Sequence, residues 1–178
     1  CSGLGYQLKV DPDLIMPNKS LSILEGGIIA SGWGNAKNDT ISRMYYEALG
    51  RKFGFSLDTP LEKLSPQAMD ALLYGTKGEK LKLQYDRGNG RGTLEQAFEG
   101  IINNLTRRYK ETQSDSMRRE LEECMSYRPC PDCHGDRLSP IVLAVTVGGI
   151  NIMDFCKLSV NQALDFIAHL ELQGSMAV

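Results

Sequence analysis

A stretch of alternating residues followed by a glycine-rich segment predicts a β-hairpin near the middle of the chain. From Glu79 to Tyr85 polar and apolar residues alternate, which is the period of a half-buried strand. Residues 86–92 contain three glycines and an Asn-Gly pair, a composition typical of a hairpin loop. The return strand is predicted over Thr93–Phe98, so the tip of the hairpin carries Arg87 and Arg91.

Amphipathic patterns predict helices on both sides of the hairpin. They are expected over residues 41–53, 66–74, 101–112 and 115–125, with a short helix after Pro60. Asp39 or Thr40 is expected to cap the first helix, Gly54 to end it, and Gly75 to end the short helix over 66–74. Short strands are predicted near Gln7–Val10 and Gly27–Ala30.

The sequence changes character at Cys130-Pro131-Asp132-Cys133. Beyond it, an apolar run at 141–147, a Gly148-Gly149 turn and residues 150–152 predict a buried strand pair. A last helix is predicted over 160–170, opened by a capping box of Ser159 and Gln162. Its expected inward residues are Val160, Ala163, Leu164, Ile167 and Leu170. The predicted fold class is α+β: helical segments with a small antiparallel β-hairpin or sheet, then a CxxC knuckle and a β-hairpin-plus-helix piece.

The spacing of Cys130 and Cys133 fits half of a tetrahedral zinc site. Cys1, Cys124 and His134 are conceivable further ligands, although no second cysteine pair has the same spacing. Three alternative interpretations share these residues: a haem-attachment CxxCH sequence, a CxxC redox pair, and two free thiols in an exposed turn. An odd total of five cysteines argues against a secreted disulfide framework.

Positive charge concentrates around the predicted hairpin. Residues 77–92 carry a net charge of +3 in a chain whose formal total is −2. The cations are Lys77, Lys80, Lys82, Arg87 and Arg91, and a second group follows at Arg107, Arg108 and Lys110. Lysines two apart on a strand share a face and suit phosphate contacts. The alternative is a solvated strand face whose lysines block edge pairing.

Several function classes are excluded or disfavoured by the sequence. Hydrophobic residues make up 42% and charged residues 24% of the 178 positions, which excludes a disordered chain or a generally basic nucleic-acid binder. No phosphate loop, nucleophile elbow or zinc-protease helix is present. Because the sequence shows no membrane span and no signal peptide, we expect a cytoplasmic protein. Its start at Cys1 suggests part of a longer chain.

Three separated strings resemble the UvrA family, the A subunits of the bacterial excinuclease. They are residues 98–109, Cys130-Pro131-Asp132-Cys133 running through Arg137-Leu138, and residues 143–149. Cys1-Ser2-Gly3-Leu4-Gly5 is similar to the end of a zinc module in that family. The order of the strings is more specific than any single motif.

The resemblance implies a DNA-binding insertion domain of a damage-recognition ATPase in nucleotide excision repair. It implies residues 1–20 as the end of a zinc module and a linker, 21–128 as the insertion domain, and 129–178 as the knuckle and the start of the ABC signature domain. The resemblance implies a zinc-ligand role for Cys130 and Cys133. It implies the same role for Cys1, whose partner ligands in the zinc module are missing from this sequence.

The resemblance also implies a division of roles within a longer parent protein. Duplex DNA with damage is the implied ligand of the hairpin cations and of the second group, Arg107, Arg108 and Lys110. ATP, a homodimer partner and the excinuclease B subunit are assigned to the parent, with no catalysis by this chain. A protein-docking module using residues 41–75 is the alternative.

Overall fold

The computed structural model describes residues 3–34, 36, 40–87 and 90–171; the side chains of residues 86, 87, 90 and 91 are also outside the description. Contacts divide the chain into two compact units. The central unit is Leu8–Ser126, and the terminal unit combines Cys1–Gln7 with Tyr127–Val178. The three domains implied by the resemblance, 1–20, 21–128 and 129–178, stay a prediction.

The predicted α+β class is confirmed. In chain order the elements are β1 (Tyr6–Val10), α1 (Pro12–Ile15), α2 (Ile41–Phe53), a 3₁₀ turn (Leu61–Lys63), α3 (Pro66–Tyr74), β2 (Lys80–Arg87), β3 (Gly90–Ala97), α4 (Ile101–Glu111), α5 (Asp115–Glu122), β4 (Met125–Pro129), α6 (Pro140–Leu143), β5 (Thr146–Val147), β6 (Ile150–Asn151), α7 (Ile152–Cys156) and α8 (Val160–Ala168). In the described ranges, two-stranded sheets pair β1 with β4, β2 with β3, and β5 with β6.

The helix boundaries follow the capping residues that the sequence supplies. The Thr40 side chain accepts the Arg43 amide at the start of α2, and Gly54 ends that helix at a φ of 73°. The predicted capping box of Ser159 and Gln162 opens α8. These local signals act within one turn of the chain, which is why they could be predicted without knowing the tertiary structure.

An aromatic cluster lies in the core of the central unit. The Trp33 ring lies 5.4 Å from Phe98 and 6.0 Å from Tyr46, measured between ring centroids. The Tyr46 hydroxyl, which is fully buried, donates to the Trp33 carbonyl at 2.8 Å. Burial raises the pKa of Tyr46 far above its usual range. The cluster anchors the loop around Trp33 to α2 and to Phe98, which follows β3.

Several local predictions in the central unit are wrong. Residues 27–30 form no strand, although the Ile29 amide donates to the Ile15 carbonyl. The return strand starts at Gly90 rather than Thr93, so Arg87 and Arg91 belong to strands. The helix after Ser114 ends at Glu122, and Met125 begins β4. That strand pairs with β1, far away in sequence, so no local pattern could show it.

The terminal unit also differs from the predicted buried strand pair. Pro140 at a first helical position starts α6, and only two residues pair on each side of the Gly148-Gly149 turn. Phe155 and Phe166 pack with ring centroids 5.7 Å apart. Most apolar residues of α6 and α8 are exposed, including Ile141 at 83% and Leu164 at 62%, whereas Leu143, Ala163 and Phe166 are half-buried. The predicted inward face of α8 is therefore wrong for Val160, Leu164 and Ile167.

No helix in the described part of the chain combines the length and the apolar character that crossing a membrane requires.

Candidate nucleic-acid interface

The β2–β3 hairpin presents two different faces. Its antiparallel register runs from Lys80 opposite Ala97 to Arg87 opposite Gly90. Leu81 and Leu83 are buried on one face, where α2 packs against β2. The other face carries six exposed or half-exposed described side chains of the ladder, and we call it the outer face: Lys80, Lys82, Gln84, Thr93, Glu95 and Ala97. The predicted alternation of the first strand is confirmed.

The base of the hairpin is tied to the core through Thr76. Its amide donates to the Phe98 carbonyl at 2.9 Å, and its hydroxyl accepts the Phe98 amide at 3.1 Å. The same hydroxyl donates to the Glu79 carbonyl at 2.5 Å. A Cβ on Gly75 would collide with the Phe98 and Glu99 carbonyls, and a Cβ on Gly100 would collide with the Gly75 amide nitrogen. This junction fixes where the hairpin leaves the helices.

Lys80 and Lys82 lie side by side on the outer face and are exposed. In the described residues neither lysine forms an ion pair, although Glu95 is the register partner of Lys82. Asp86 and Arg91 are likewise register partners. The side chains of Arg87 and Arg91 lie outside the described part of the structure. The pairing therefore brings acidic residues opposite two of the predicted cations.

Arg51 joins this surface without any signal in the local sequence. It is exposed in the last turn of α2, and its Nη2 donates to the Lys82 carbonyl at 2.9 Å. In an antiparallel strand the backbone N–H and C=O of one residue point to the same side. Because the Lys82 carbonyl accepts from Arg51, the backbone groups of Lys82 point away from β3, and Lys82 forms a non-hydrogen-bonded pair with Glu95. Next to Arg51, Lys52 forms an ion pair with Glu79.

Lys77 lies in the turn that precedes β2. It has a φ of 51°, unusual for a residue with a side chain. Its Nζ is 3.3 Å from an oxygen of Asp70, and both side chains are largely exposed. An exposed pair of this kind holds its partners weakly. The Lys77 ammonium therefore stays accessible to an anion.

Arg107 is engaged by two carboxylates on the surface of α4. Its Nε lies 2.8 Å from Glu99 and its Nη1 lies 2.9 Å from Glu111. Hydrogen bonds from Arg107 and Asn104 lower the pKa of the Glu99 carboxyl. The same pairing raises the pKa of Arg107. This arrangement orders the first turns of α4, and the two carboxylates balance the positive charge of Arg107.

Arg108 is turned inward from Arg107 and holds a loop. Its Nη1 donates to the Ser31 carbonyl at 2.8 Å, and its Nη2 lies 3.3 Å from the Met117 sulfur. Nearby, the Trp33 indole donates to Asn104 at 3.2 Å. Lys110 is exposed, with no ion pair in the described residues. Of the three cations predicted on α4, Lys110 is the one that its surroundings leave fully available.

The Cys130–Cys133 knuckle is a tight turn in the terminal unit. The His134 amide donates to the Cys130 carbonyl and the Asp136 amide to the Cys133 carbonyl, both at 2.7 Å. Backbone hydrogen bonds from Cys133 and Asp132 lower the pKa of the Cys130 thiol. These features suit thiolate ligands.

Two cysteine sulfurs can supply two of the four ligands of a tetrahedral zinc site. No group of three or more metal-binding side chains lies together in the ranges that the structure describes. Cys1 lies outside those ranges, while Cys124 belongs to the core of the central unit, where burial raises the pKa of its thiol. The described residues therefore fit a half-site and do not complete a metal centre.

Comparison with known proteins identifies close sequence relatives. The family described as the UvrA DNA-binding domain matches residues 11–123. The chain is 46% identical over 94% of its length to the UvrABC system protein A of Clostridium perfringens. It is 40% identical over 97% of its length to the protein of the same name from Micrococcus luteus. The chain spans 18% and 17% of the length of these two relatives.

A solved structure has the same fold. The crystal structure of UvrA2 from Deinococcus radiodurans matches with a TM-score of 0.64 at 20% sequence identity. The match covers 93% of this chain and 21% of that protein chain. At this level of identity the similarity establishes the architecture.

Proposed function

The chain belongs to the UvrA DNA-binding domain family, and from this premise we propose that it binds duplex DNA through the outer face of its hairpin. The observation that carries the proposal is the set of exposed cations at that face: Lys80 and Lys82 side by side, with Arg51 against the edge of β2. Lys77, Arg87, Arg91 and Lys110 are proposed as further contacts. Arg107 and Arg108 are proposed to act mainly in stabilising the fold rather than in contacting DNA, because both already have partners within the protein.

The chemistry of this surface favours contacts to the phosphate backbone. Ammonium and guanidinium groups on an exposed ribbon neutralise phosphates and position a duplex, while sequence is read by contacts to base edges. The outer face also carries Glu95, which keeps its net charge small. We therefore expect modest, salt-dependent affinity, with altered DNA shape and deformability as the basis for recognising damage.

We place this binding in nucleotide excision repair, as one part of a longer UvrA-type protein. The support is that the curated relatives are UvrABC system A proteins and are several times longer than this chain. ATP binding and hydrolysis, the homodimer contact and the contact with the B subunit are assigned to that longer protein, and no catalysis is assigned to this chain. A cytoplasmic location stays a prediction.

We further propose that Cys130 and Cys133 supply two of four zinc ligands in the longer protein. The lowered pKa of Cys130 and the closed turn around both sulfurs support this role. Zinc would stabilise the knuckle by cross-linking it to a second pair of ligands. Zinc analysis of the purified longer protein, with and without Cys130→Ser and Cys133→Ser, tests the assignment: unchanged zinc content would refute it.

The DNA-binding proposal predicts a specific change in salt dependence. A variant with Arg51, Lys80 and Lys82 changed to alanine should bind a labelled duplex more weakly, with a shallower slope of log K against log salt. Each lost phosphate contact reduces the slope by about 0.9. Fluorescence anisotropy at several salt concentrations measures both quantities.

The matched control removes the same charge from elsewhere on the surface. Lys9, Lys63 and Arg119 are exposed and lie outside the hairpin, so changing them to alanine alters the net charge equally. The control variant should keep the wild-type slope. Equal losses in the two triple variants would mean that total charge, rather than the hairpin, governs binding.

A further inference from the structure

The face of the hairpin opposite to the outer face continues beyond the core as an apolar surface. Leu81 and Leu83, near the base, are buried under α2. Further along the same face Tyr85 is 41% exposed. Leu94 lies beside Leu83 on the partner strand β3 and is 50% exposed. The helix thus covers β2 near its base and leaves Tyr85 and Leu94 uncovered.

Gly92 shapes how Tyr85 is presented. The two residues are register partners, and a Cβ at position 92 would collide with the Tyr85 ring. The ring therefore lies directly against the backbone of β3, in a space that exists because position 92 has no side chain. Contact with a backbone on one side restrains the ring and leaves other parts of it in water. A restrained aromatic ring loses little entropy when a flat ligand stacks on it.

The distal part of the hairpin has the dimensions of a groove-binding ribbon. Four register pairs, from Gln84–Thr93 to Arg87–Gly90, lie beyond buried Leu83, which corresponds to about 13 Å of strand at ~3.3 Å per residue. A two-stranded ribbon fits the major groove of duplex DNA. A ribbon inside a groove can place one face near phosphates and the other near bases.

We propose that Tyr85, supported by Leu94, is a stacking surface for a nucleobase that has lost its pairing or stacking partner in the duplex. This inference rests on the proposed DNA binding and adds the group that senses the distorted base. Cations on the outer face hold the backbone, and the apolar face receives the exposed base. Aromatic side chains stack on every kind of base, so this contact reads loss of stacking rather than sequence.

Discrimination follows from the cost of exposing a base. In an intact duplex a base must leave its stack before it can reach Tyr85, and the protein contact has to offset that cost. In a duplex with an unpaired base, much of the unpairing and unstacking energy has already been lost, so less is required to bring the base to Tyr85. The Tyr85 contact therefore adds affinity for the distorted duplex and little for the intact one.

The test compares two duplexes of the same length and sequence. One contains an unpaired 2-aminopurine, whose fluorescence reports stacking, and the other is fully paired. Tyr85→Ala is expected to weaken binding to the first duplex by about fivefold or more, and to abolish the fluorescence change on binding. Its affinity for the paired duplex is expected to stay within about twofold of wild type.

Two further variants separate stacking from structural effects. Tyr85→Phe keeps the ring and should retain wild-type discrimination and fluorescence change. Tyr74→Ala removes another half-exposed tyrosine, on α3 outside the hairpin, and should leave both duplex affinities unchanged.

The outcomes distinguish this inference from the proposal beneath it. If the wild-type chain binds neither duplex, the proposed DNA binding fails and this inference fails with it. If the wild-type chain binds both duplexes but Tyr85→Ala weakens them equally or not at all, only the stacking inference is overturned. The stacking inference is also overturned if Tyr85→Phe loses discrimination as completely as Tyr85→Ala does.

Discussion

At the scale of single residues, neighbouring cations on α4 have different surroundings. Arg107 lies between Glu99 and Glu111, whereas Arg108 reaches the Ser31 carbonyl. Lys110 is exposed and has no ion pair among the described residues. One basic string in the sequence thus contains a neutralised arginine, a loop-anchoring arginine and an available lysine.

Arg108→Ala should lower the free energy of unfolding by about 1–3 kcal/mol, because the Ser31 carbonyl loses a charged hydrogen-bond donor. Lys110→Ala removes the same charge at an exposed position, and its effect should stay within about 0.5 kcal/mol. Urea unfolding followed by the fluorescence of Trp33, the single tryptophan of the chain, measures both changes. Equal effects in the two variants would contradict the anchoring role of Arg108.

At the scale of elements, the hairpin depends on the junction between α3 and α4. Gly75 ends α3 and Gly100 precedes α4, each with a φ of 91°. Their backbones are in contact because neither residue has a side chain. Thr76 then joins the two ends of the hairpin through hydrogen bonds to Phe98. The direction of the hairpin is therefore set at its base, by backbone packing.

Gly100→Ala should be strongly destabilising, by about 3–5 kcal/mol, because it combines backbone strain with a backbone clash. Gly78→Ala is the matched control: it has the same φ of 91° but no atom within 4 Å of the added Cβ. Strain alone should cost this variant about 1–2 kcal/mol. Chemical denaturation of both variants isolates the contribution of the close approach. Similar losses would show that strain, and not packing, makes glycine necessary at position 100.

At the scale of the whole molecule, the central and terminal units differ in how well they bury apolar residues. Fully buried side chains fill the central unit, including Tyr46, Leu49, Leu72 and Leu105. In the described part of the terminal unit, eleven large hydrophobic side chains are exposed: Leu4, Tyr6, Tyr127, Ile141, Val142, Val145, Val147, Ile152, Val160, Leu164 and Ile167. The packing that holds α8 comes instead from Phe166, which contacts Phe155 and lies close to Gly148.

Leu164→Gln should therefore have little effect on the terminal unit, since its side chain is largely exposed. Phe166→Ala should remove the aromatic contact with Phe155 and destabilise the unit by about 1–2 kcal/mol, since the ring is half-buried. Hydrogen exchange of the α8 amides reports the local stability of this unit without unfolding the rest. Faster exchange in Leu164→Gln than in Phe166→Ala would contradict this assignment of the packing.

The hairpin, the long helices and their caps could be predicted from the sequence because their causes are local. Three such features each depend on only a few neighbouring residues: the alternation between Glu79 and Tyr85, the Thr40 cap, and the capping box of Ser159 and Gln162. The wrong predictions have non-local causes. The pairing of β4 with β1 joins distant segments, and the apolar pattern of α8 identifies an apolar side without establishing that anything covers it.

The candidate site divides in the same way. The sequence by itself determined that an exposed strand face carries Lys80 and Lys82. Successive side chains of a strand point to opposite faces, so these lysines lie on the face opposite to buried Leu81 and Leu83. Only the tertiary structure decided that Glu95 opposes Lys82, that Arg51 joins the edge of β2, and that Arg108 turns inward. Register and helix packing bring together residues far apart in the chain, and a charge count along the sequence contains no information about either.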